Sequence, residues 1–483
     1  MSLRKKAYSG IWWVIISTIF SKLINLLTNI SLARLLDPSH FGIVALALVF
    51  INFFETFRDL GIGSALIHRS DNNSIAQNTA FFIFPFAAVF FYILCYLISP
   101  YVALFFKSDG LDLIIKVLSL SLILWSFGNL PTTLLAKELE FKKLLYPQIV
   151  PKLGYALVSI VLAIQGFGVW SLVIGRISLE ILSLIIVWHV IDWRPKLEFD
   201  KKTAVELLKY GKYVLGTSLI AFLSSVFDVV VIGRELGAET LGFYSIALTV
   251  ASFFTIQISH VIYQVVFPVF SKLQHDMDKM KSVFLNSLKY LSFFIFPSAA
   301  GIIVVSNQFI NVFYGSKWLP AVPLIQILCI YGSAQSISKV TSSVYLASGT
   351  PHKSTMINIL HLFFIMILIY PLTIAYGVVG TSLAVTISST ISLFFSLNQV
   401  KKILLCSYAT IFKVLVYPFV GSIAMFIFVI LIQELIYLYS DIFIFIVSMI
   451  SGISFYLLFL LCVQFKEIKT IANYVSNYLI LKS

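Results

Sequence analysis

The sequence predicts an all-α polytopic membrane protein of fourteen transmembrane helices, arranged as two parallel six-helix lobes and a C-terminal helix pair. Three observations predict it. The 483 residues are 59% hydrophobic and 11% charged, with 44 Phe and a mean hydropathy of +0.98, whereas a soluble domain carries about 25% charged residues. Apolar runs of the roughly 20 residues needed to cross a bilayer recur along the whole chain. Two stretches also repeat each other. An apolar excess of this size excludes a soluble enzyme, a nucleic-acid-binding protein and a disordered scaffold. The net charge of +13 therefore bears on membrane topology, not on a nucleic-acid partner.

The first lobe, residues 1–192, holds spans at 11–34, 41–64, 77–99, 112–134, 149–166 and 170–191. Arg4-Lys5-Lys6 precedes the first run, but no small-x-small cleavage site follows and the run exceeds a signal-peptide core. It is therefore expected to be the first transmembrane helix. A cytoplasmic linker is expected over 193–211. The second lobe, 212–402, holds spans at 212–233, 241–266, 283–305, 320–346, 354–376 and 378–400. Residues 403–465 supply helices 13 and 14, at 409–432 and 442–464, and 466–483 form a cytoplasmic tail.

Basic residues orient these spans. With the N-terminus inside, the inner segments hold the Arg4 cluster, Arg69, Lys137, Lys142, Lys143, Lys152, the Arg194–Lys212 group, Lys272, Lys279, Lys281, Lys353, Lys401, Lys402, Lys413, Lys466, Lys469 and Lys482. The outer side holds only Arg34, Lys107, Lys116, Arg234 and Lys317. This positive-inside bias puts both termini in the cytoplasm. Residues 199–210 and 465–481 (Phe465, Ile468, Ala472, Val475, Leu479 on one face) read either as interfacial amphipathic helices or as a solvated linker and tail. Cys95, Cys329, Cys406 and Cys462 all fall in apolar segments without metal-ligand spacing and read as small buried residues.

The repeat aligns Leu36–Gly42 through Phe53-Phe54, without gaps, on Leu236–Gly242 through Phe253-Phe254. Arg34/Arg234, Gly42/Gly242, Ala47/Ala247 and Leu48/Leu248 match, and Phe81-Phe-Ile-Phe-Pro85 matches Phe293-Phe-Ile-Phe-Pro297. Six spans per repeat give both halves the same orientation, the arrangement of two-lobed transporters around a central site. Pro85 and Pro297 are expected to kink the third helix of each half, as structural bends or as hinges between inward and outward states.

Ionisable residues inside spans are the candidate site, because a charge at the bilayer centre costs about 2.5–3.5 kcal/mol even on the lenient insertion scale. Thr18, Lys22, Asn25 and Asn29 share one face of the first span. Asn52, Glu55, Thr56 and Asp59 share a face of the second, with Arg58 alongside. Arg176 and Glu180 form an i,i+4 pair in the sixth. In the second half, Thr217, Ser224 and Asp228, then Gln257, His260 and Gln264, then Tyr331, Gln335, Ser338 and Ser342 form stripes, with Lys339 and Lys289 nearby. Interfacial Arg34, Arg69 and Arg234 snorkel. Glu55–Arg58 and Arg176–Glu180 read equally as internal structural pairs, and His260 reads first as a helix–helix hydrogen bonder. Lys22, Asp59, Asp228 and Lys339 lack a partner in their own helix and are expected to face a cavity. No Walker-type loop, HExxH or Cys/His cluster is present, so no cofactor or metal is expected and transport would draw on an ion gradient, the membrane potential or the substrate's own gradient.

Ala33-Arg-Leu-Leu36 with Phe41-Gly42, Asp59-Leu-Gly-Ile-Gly63, Lys137-Glu-Leu-Glu-Phe141, Ile232-Gly-Arg-Glu-Leu-Gly237 with Leu241-Gly-Phe-Tyr244, Phe267-Pro-Val-Phe270 and Phe313-Tyr-Gly-Ser-Lys-Trp318 occur in this order. Over about residues 1–400 the chain thereby resembles the polysaccharide transporters of the multidrug/oligosaccharidyl-lipid/polysaccharide exporter superfamily, and more closely their Wzx-type flippases. The resemblance implies V-shaped lobes, a cationic central cavity and alternating access coupled to H+ or Na+. The implied cargo is an undecaprenyl-pyrophosphate-linked oligosaccharide, moved to the outer leaflet for O-antigen, capsule or exopolysaccharide. Membrane lipids, a polysaccharide polymerase and a chain-length regulator are the expected partners. An anionic, hydroxyl-rich headgroup needs bases and amides together, which makes Lys22, Asn25, Asn29, Arg58, Arg176, Lys289, Gln335 and Lys339 the substrate candidates. Asp59, Glu180 and Asp228 are the ion-coupling candidates. The rival readings are a cation or drug antiporter, which would need unpaired acids, a membrane polymerase, which would need a long outer catalytic loop, and a lipid-II-type or sporulation-related flippase, which would share fold and mechanism and differ only in its glycan.

Overall fold

A computed structural model of the chain describes residues 3–58, 62, 63, 66, 74–138, 140–274 and 276–480. Side chains before residue 13, after 463 and in parts of 208–221 and 257–265 lie outside the described set.

The described backbone is almost entirely helical, with short turns between helices and one longer non-helical connection, 191–200. In chain order the helices are α1 (Leu3–Leu35), α2 (Pro38–Arg58), α3 (Ser74–Phe106), α4 (Leu111–Leu118), α5 (Leu120–Lys137), α6 (Phe141–Ile164), α7 (Val169–Val190), α8 (Lys201–Glu235), α9 (Gly237–Lys272), α10 (Met277–Phe309), α11 (Val322–Ala347), α12 (Pro351–Leu404), α13 (Tyr408–Leu435) and α14 (Asp441–Ile480). A π turn, Ile310–Tyr314, and a 3-10 turn, Ser316–Ala321, join α10 to α11. Apart from their end turns and prolines, helices satisfy their backbone N–H and C=O groups internally, which a chain in hydrocarbon must do.

Among the described residues, eleven helical stretches are long and apolar enough to span a bilayer. The sequence expects fourteen spans. Two of these, 354–376 and 378–400, lie on the single 54-residue α12, which breaks at Gly377 (φ 60°, ψ −142°). That backbone conformation is one that glycine adopts without a Cβ penalty, and it falls at the expected boundary. The expected first and seventh spans lie on α1 and α8, parts of whose side chains are outside the described set. The fourth span is interrupted: α4 and α5 meet at Ser119. Large exposed apolar side chains such as Phe86, Tyr101, Leu104, Leu157 and Ile164 would be untenable in water and suit contact with acyl chains.

Residues 191–200 form a non-helical connection, extended at Ile191 and Asp200, and the segment of the expected linker from Lys201 onward is the first part of α8, continuous with the seventh span. Asp200 caps that helix, accepting from the Thr203 backbone N–H at 2.7 Å and its hydroxyl at 2.6 Å. Those bonds favour the carboxylate and hold Asp200 below its ordinary pKa. The non-helical connection is clamped to α3. The Asn78 side-chain carbonyl accepts from the Lys196 N–H (3.1 Å), its amide donates to Glu198 Oε2 (2.8 Å), and Thr79 Oγ1 accepts from the Asp200 N–H (3.1 Å). Leu207 then packs with Phe81, Phe84 and Val187 in one buried cluster. The tail face proposed over 465–481 belongs to α14, where side chains are outside the described set.

The chain divides into two compact units, Met1–Ser245 with Leu362–Thr381, and Ile246–His361 with Ser382–Ser483. Within the first unit, residues matched by the sequence repeat touch each other reciprocally. A Cβ on Gly42 would lie 1.7 Å from the Ala238 carbonyl oxygen, and one on Gly242 would lie 1.9 Å from that of Pro38. Only glycine permits two helices to approach so closely. Pro85 lies inside α3 and Pro297 inside α10, where each removes a backbone hydrogen bond.

Candidate functional site

The first unit gathers cations from three helices. α1 packs on α6, and α6 on α7 along most of its length. Glycine again permits the approach: a Cβ on Gly175 of α7 would lie 2.0 Å from Ser159 Oγ, and one on Gly154 of α6 would lie 2.1 Å from Leu182 Cδ1. This packing sets Lys152 of α6 within electrostatic reach of both Lys22 of α1 and Arg176 of α7. Arg176 Nη2 lies 3.4 Å from Oε1 of the buried Glu180. Neither Lys22 nor Lys152 has a carboxylate within ion-pair distance among the described residues. On the Lys22 face of α1, the half-buried amides of Asn25 and Asn29 make no side-chain hydrogen bond to other described residues. Three cations, one acid and two open amides form an excess of positive charge with spare donors and acceptors. That is the chemistry that takes up an anion bearing hydroxyl groups.

Sequence reasoning placed Lys22, Asn25, Asn29, Arg176 and Glu180 among the candidates but not Lys152, which it counted with the inner basic residues because it lies near the start of a span. Arg58 ends α2 with its side chain outside the described set, and Asp59 lies outside the described residues. Asp228 does not line an open cavity. It is 6% exposed, its Oδ2 accepts from the Tyr244 hydroxyl of α9, and its Oδ1 accepts from the Val229 N–H at 2.9 Å.

The second unit holds the remaining candidates and uses its polar groups differently. Gln335 of α11 donates to Ser389 of α12 at 3.1 Å, and Ser336 donates to the Thr255 carbonyl of α9 at 2.9 Å. Thr341 bonds Ser396 at 2.6 Å, and Tyr345 donates to the same serine. Gln335 of the α11 stripe and three α11 residues beside it therefore join helices, the ordinary use of polar side chains in a bilayer, while Ser342 donates back to the Ser338 carbonyl of its own helix. Lys289 of α10 and Lys339 of α11 are half-buried and each engages neighbouring groups. The same unit contains an apolar groove of about 860 Å³ between α10, α13 and α14, lined by Phe293, Pro297, Gly301, Met425, Gly452 and Tyr456 among others. Sequence reasoning missed it, because apolar residues in a membrane protein carry no local signal of a groove.

Residues 31–323 match the family described as "Polysaccharide biosynthesis protein". The chain belongs to this family. Its relatives include the teichuronic acid biosynthesis protein TuaB of Bacillus subtilis (strain 168), 28% identical over 72% of this chain and 72% of that protein. Another is the lipopolysaccharide biosynthesis protein WzxC of Escherichia coli (strain K12), 27% identical over 80% of this chain and 78% of that one. A solved structure of the lipid II flippase MurJ, in an inward closed conformation, superposes with a TM-score of 0.76. It covers 94% of this chain and 99% of its own at 19% identity, and so shows a shared fold. The chain is accordingly a multi-pass membrane protein of the polysaccharide biosynthesis family.

Proposed function

We propose that the chain flips an undecaprenyl-pyrophosphate-linked oligosaccharide repeat unit from the inner to the outer leaflet of a bacterial cytoplasmic membrane, for surface polysaccharide synthesis. The observation that carries the substrate class is the group Lys22, Lys152, Arg176 and Glu180. Its excess of positive charge suits a pyrophosphate, and Asn25 and Asn29 supply partners for sugar hydroxyls. A cation antiporter would instead need an excess of unpaired acid. The apolar groove of the second unit suits a polyprenyl chain, whose methyl-branched tail would find Phe, Met and Tyr surfaces there and almost no polar groups. Both termini lie in the cytoplasm by the distribution of basic residues, and flipping proceeds by alternating access coupled to an H+ or Na+ gradient. A polysaccharide polymerase and its chain-length regulator would use the product on the outer face. Deleting the gene in its host and extracting lipids tests this reading. Single repeat units accumulating on undecaprenyl pyrophosphate, with surface polymer lost, are expected; unchanged polymer with altered retention of a cationic dye would overturn it.

A further inference from the structure

α8 and α9 form a tight hairpin that turns at Leu236 and Gly237, the latter at φ +84°. Asp228 and Tyr244 lie eight residues on either side of Leu236, so their side chains bridge the hairpin about two turns from its tip. Asp228 is buried and Tyr244 fully so. Both carboxylate oxygens serve as acceptors, one for the Tyr244 hydroxyl and one for the Val229 N–H. Ionised, the acid accepts from both donors; protonated on the oxygen facing Tyr244, it would donate to the phenol oxygen and turn the phenol proton toward another acceptor. Two residues before Tyr244 is Gly242, whose backbone presses on Pro38 of α2 while Gly42 presses on Ala238. The bridge therefore sits next to the point where the two repeated segments cross.

We infer that Asp228 and Tyr244 form a proton-sensitive latch on the α2–α9 crossing. Ionised, Asp228 takes a charge-assisted bond from Tyr244 and holds the start of α9 against α2. A proton arriving at Asp228 neutralises the acceptor. The Tyr244 bond then either drops to neutral strength, roughly half that of the charged one, or reverses, which leaves the phenol proton to find another acceptor. The start of α9 is then free to move away from Gly42. The charged groups on the surrounding elements do not fix the acid in one state. α3 carries none; α2 brings Glu55 and Arg58, α8 itself Arg234 and Glu235, and α9 Glu239. Among the described residues, none of these acts on Asp228. The purpose of the latch rests on the transport reading above; its existence does not.

The test is hydrogen–deuterium exchange of the full chain in lipid nanodiscs, over the segments 36–46 and 236–246, corrected for intrinsic rates. Wild type is expected to exchange at least several-fold faster at pH 5.5 than at pH 8. Asp228→Asn, which mimics the protonated acid, should exchange fast at both pH values, and so should Tyr244→Phe. Gly42→Ala should also exchange fast at both, by forcing the crossing apart. Wild-type protection independent of pH would overturn the latch, and so would an Asp228→Asn protein that retains the wild-type pH response. A latch present in a protein that fails to flip lipid would overturn the transport reading alone.

Discussion

The two compact units contain the same kinds of residue and use them differently. In the second unit, many polar side chains join helices: Gln335 to Ser389, Ser336 to Thr255, Thr341 to Ser396, Gln433 to Ser448; the buried Gln308 Oε1, Tyr314 hydroxyl, His361 Nδ1 and Tyr456 hydroxyl, which have no partner among the described residues, are scattered singly. In the first, Lys22 and Lys152 reach no carboxylate among the described residues, and Asn25 and Asn29 keep open amides. A polar group buried in hydrocarbon without a partner is expensive, so where the chain tolerates several together, binding supplies what packing does not. The difference teaches that charge alone does not mark a site in a membrane protein. What marks it is several charged and amide groups left unspent in one place.

The sharpest way to break this contrast is to remove the unspent charges. Lys22→Ala and Lys152→Ala are each expected to lower surface polysaccharide about 10–100-fold, the loss of one charge-assisted bond of roughly 1.5–3 kcal/mol to the cargo. Protein level in the membrane should be unchanged, as blotting of membrane fractions would verify. Arg176→Ala should also lower the protein level, since it removes the cation 3.4 Å from the buried Glu180. Normal polymer from both lysine variants would remove the first unit's claim to the headgroup.

A smaller effect is expected in the second unit's groove. A Cβ on Gly301 would meet only Met425 Cε, at 3.9 Å, so Gly301→Leu fills the groove without displacing backbone. Export should fall by about tenfold or less, with slower turnover of the lipid-linked cargo as the readout. Smaller still, Gln335→Leu should cost about 0.6 kcal/mol of stability, as is usual for one interhelical hydrogen bond in a bilayer, and leave export near normal. A large export defect in a stable Gln335→Leu protein would return the α11 stripe to the site and erase the contrast.

The smallest effect concerns the linker cap. The pKa of Asp200 is lowered by its bonds to Thr203. Its contribution is therefore present above the ordinary Asp value of about 3.9 and is lost as pH falls through the lowered one. Asp200→Ala should slightly reduce thermal stability near neutral pH, and the difference from wild type should vanish in acid. A difference that persists in acid would mean that the carboxylate is not the capping group.

Much of this was legible in the sequence. Apolar runs set the spans, and Gly377 stands at an expected boundary because a helix reversing direction needs a residue free of Cβ restraint. The Arg176–Glu180 pair was readable because i,i+4 spacing is local. Lys152 was not, because a basic residue near the inner end of a span looks like a topology signal until the neighbouring helices are in place. Asp228 had no partner in its own helix, and only the hairpin brings Tyr244 to it. The linker's clamp through Asn78 was invisible for the same reason: its halves are more than a hundred residues apart.

The most direct test of the account reconstitutes the purified chain in vesicles with a fluorescent undecaprenyl-pyrophosphate oligosaccharide and follows leaflet exchange under an imposed ion gradient. The account predicts gradient-dependent flipping by wild type and about a 10–100-fold loss in Lys22→Ala and Lys152→Ala. Flipping at the rate of empty vesicles, or equal flipping by the lysine variants, would contradict it.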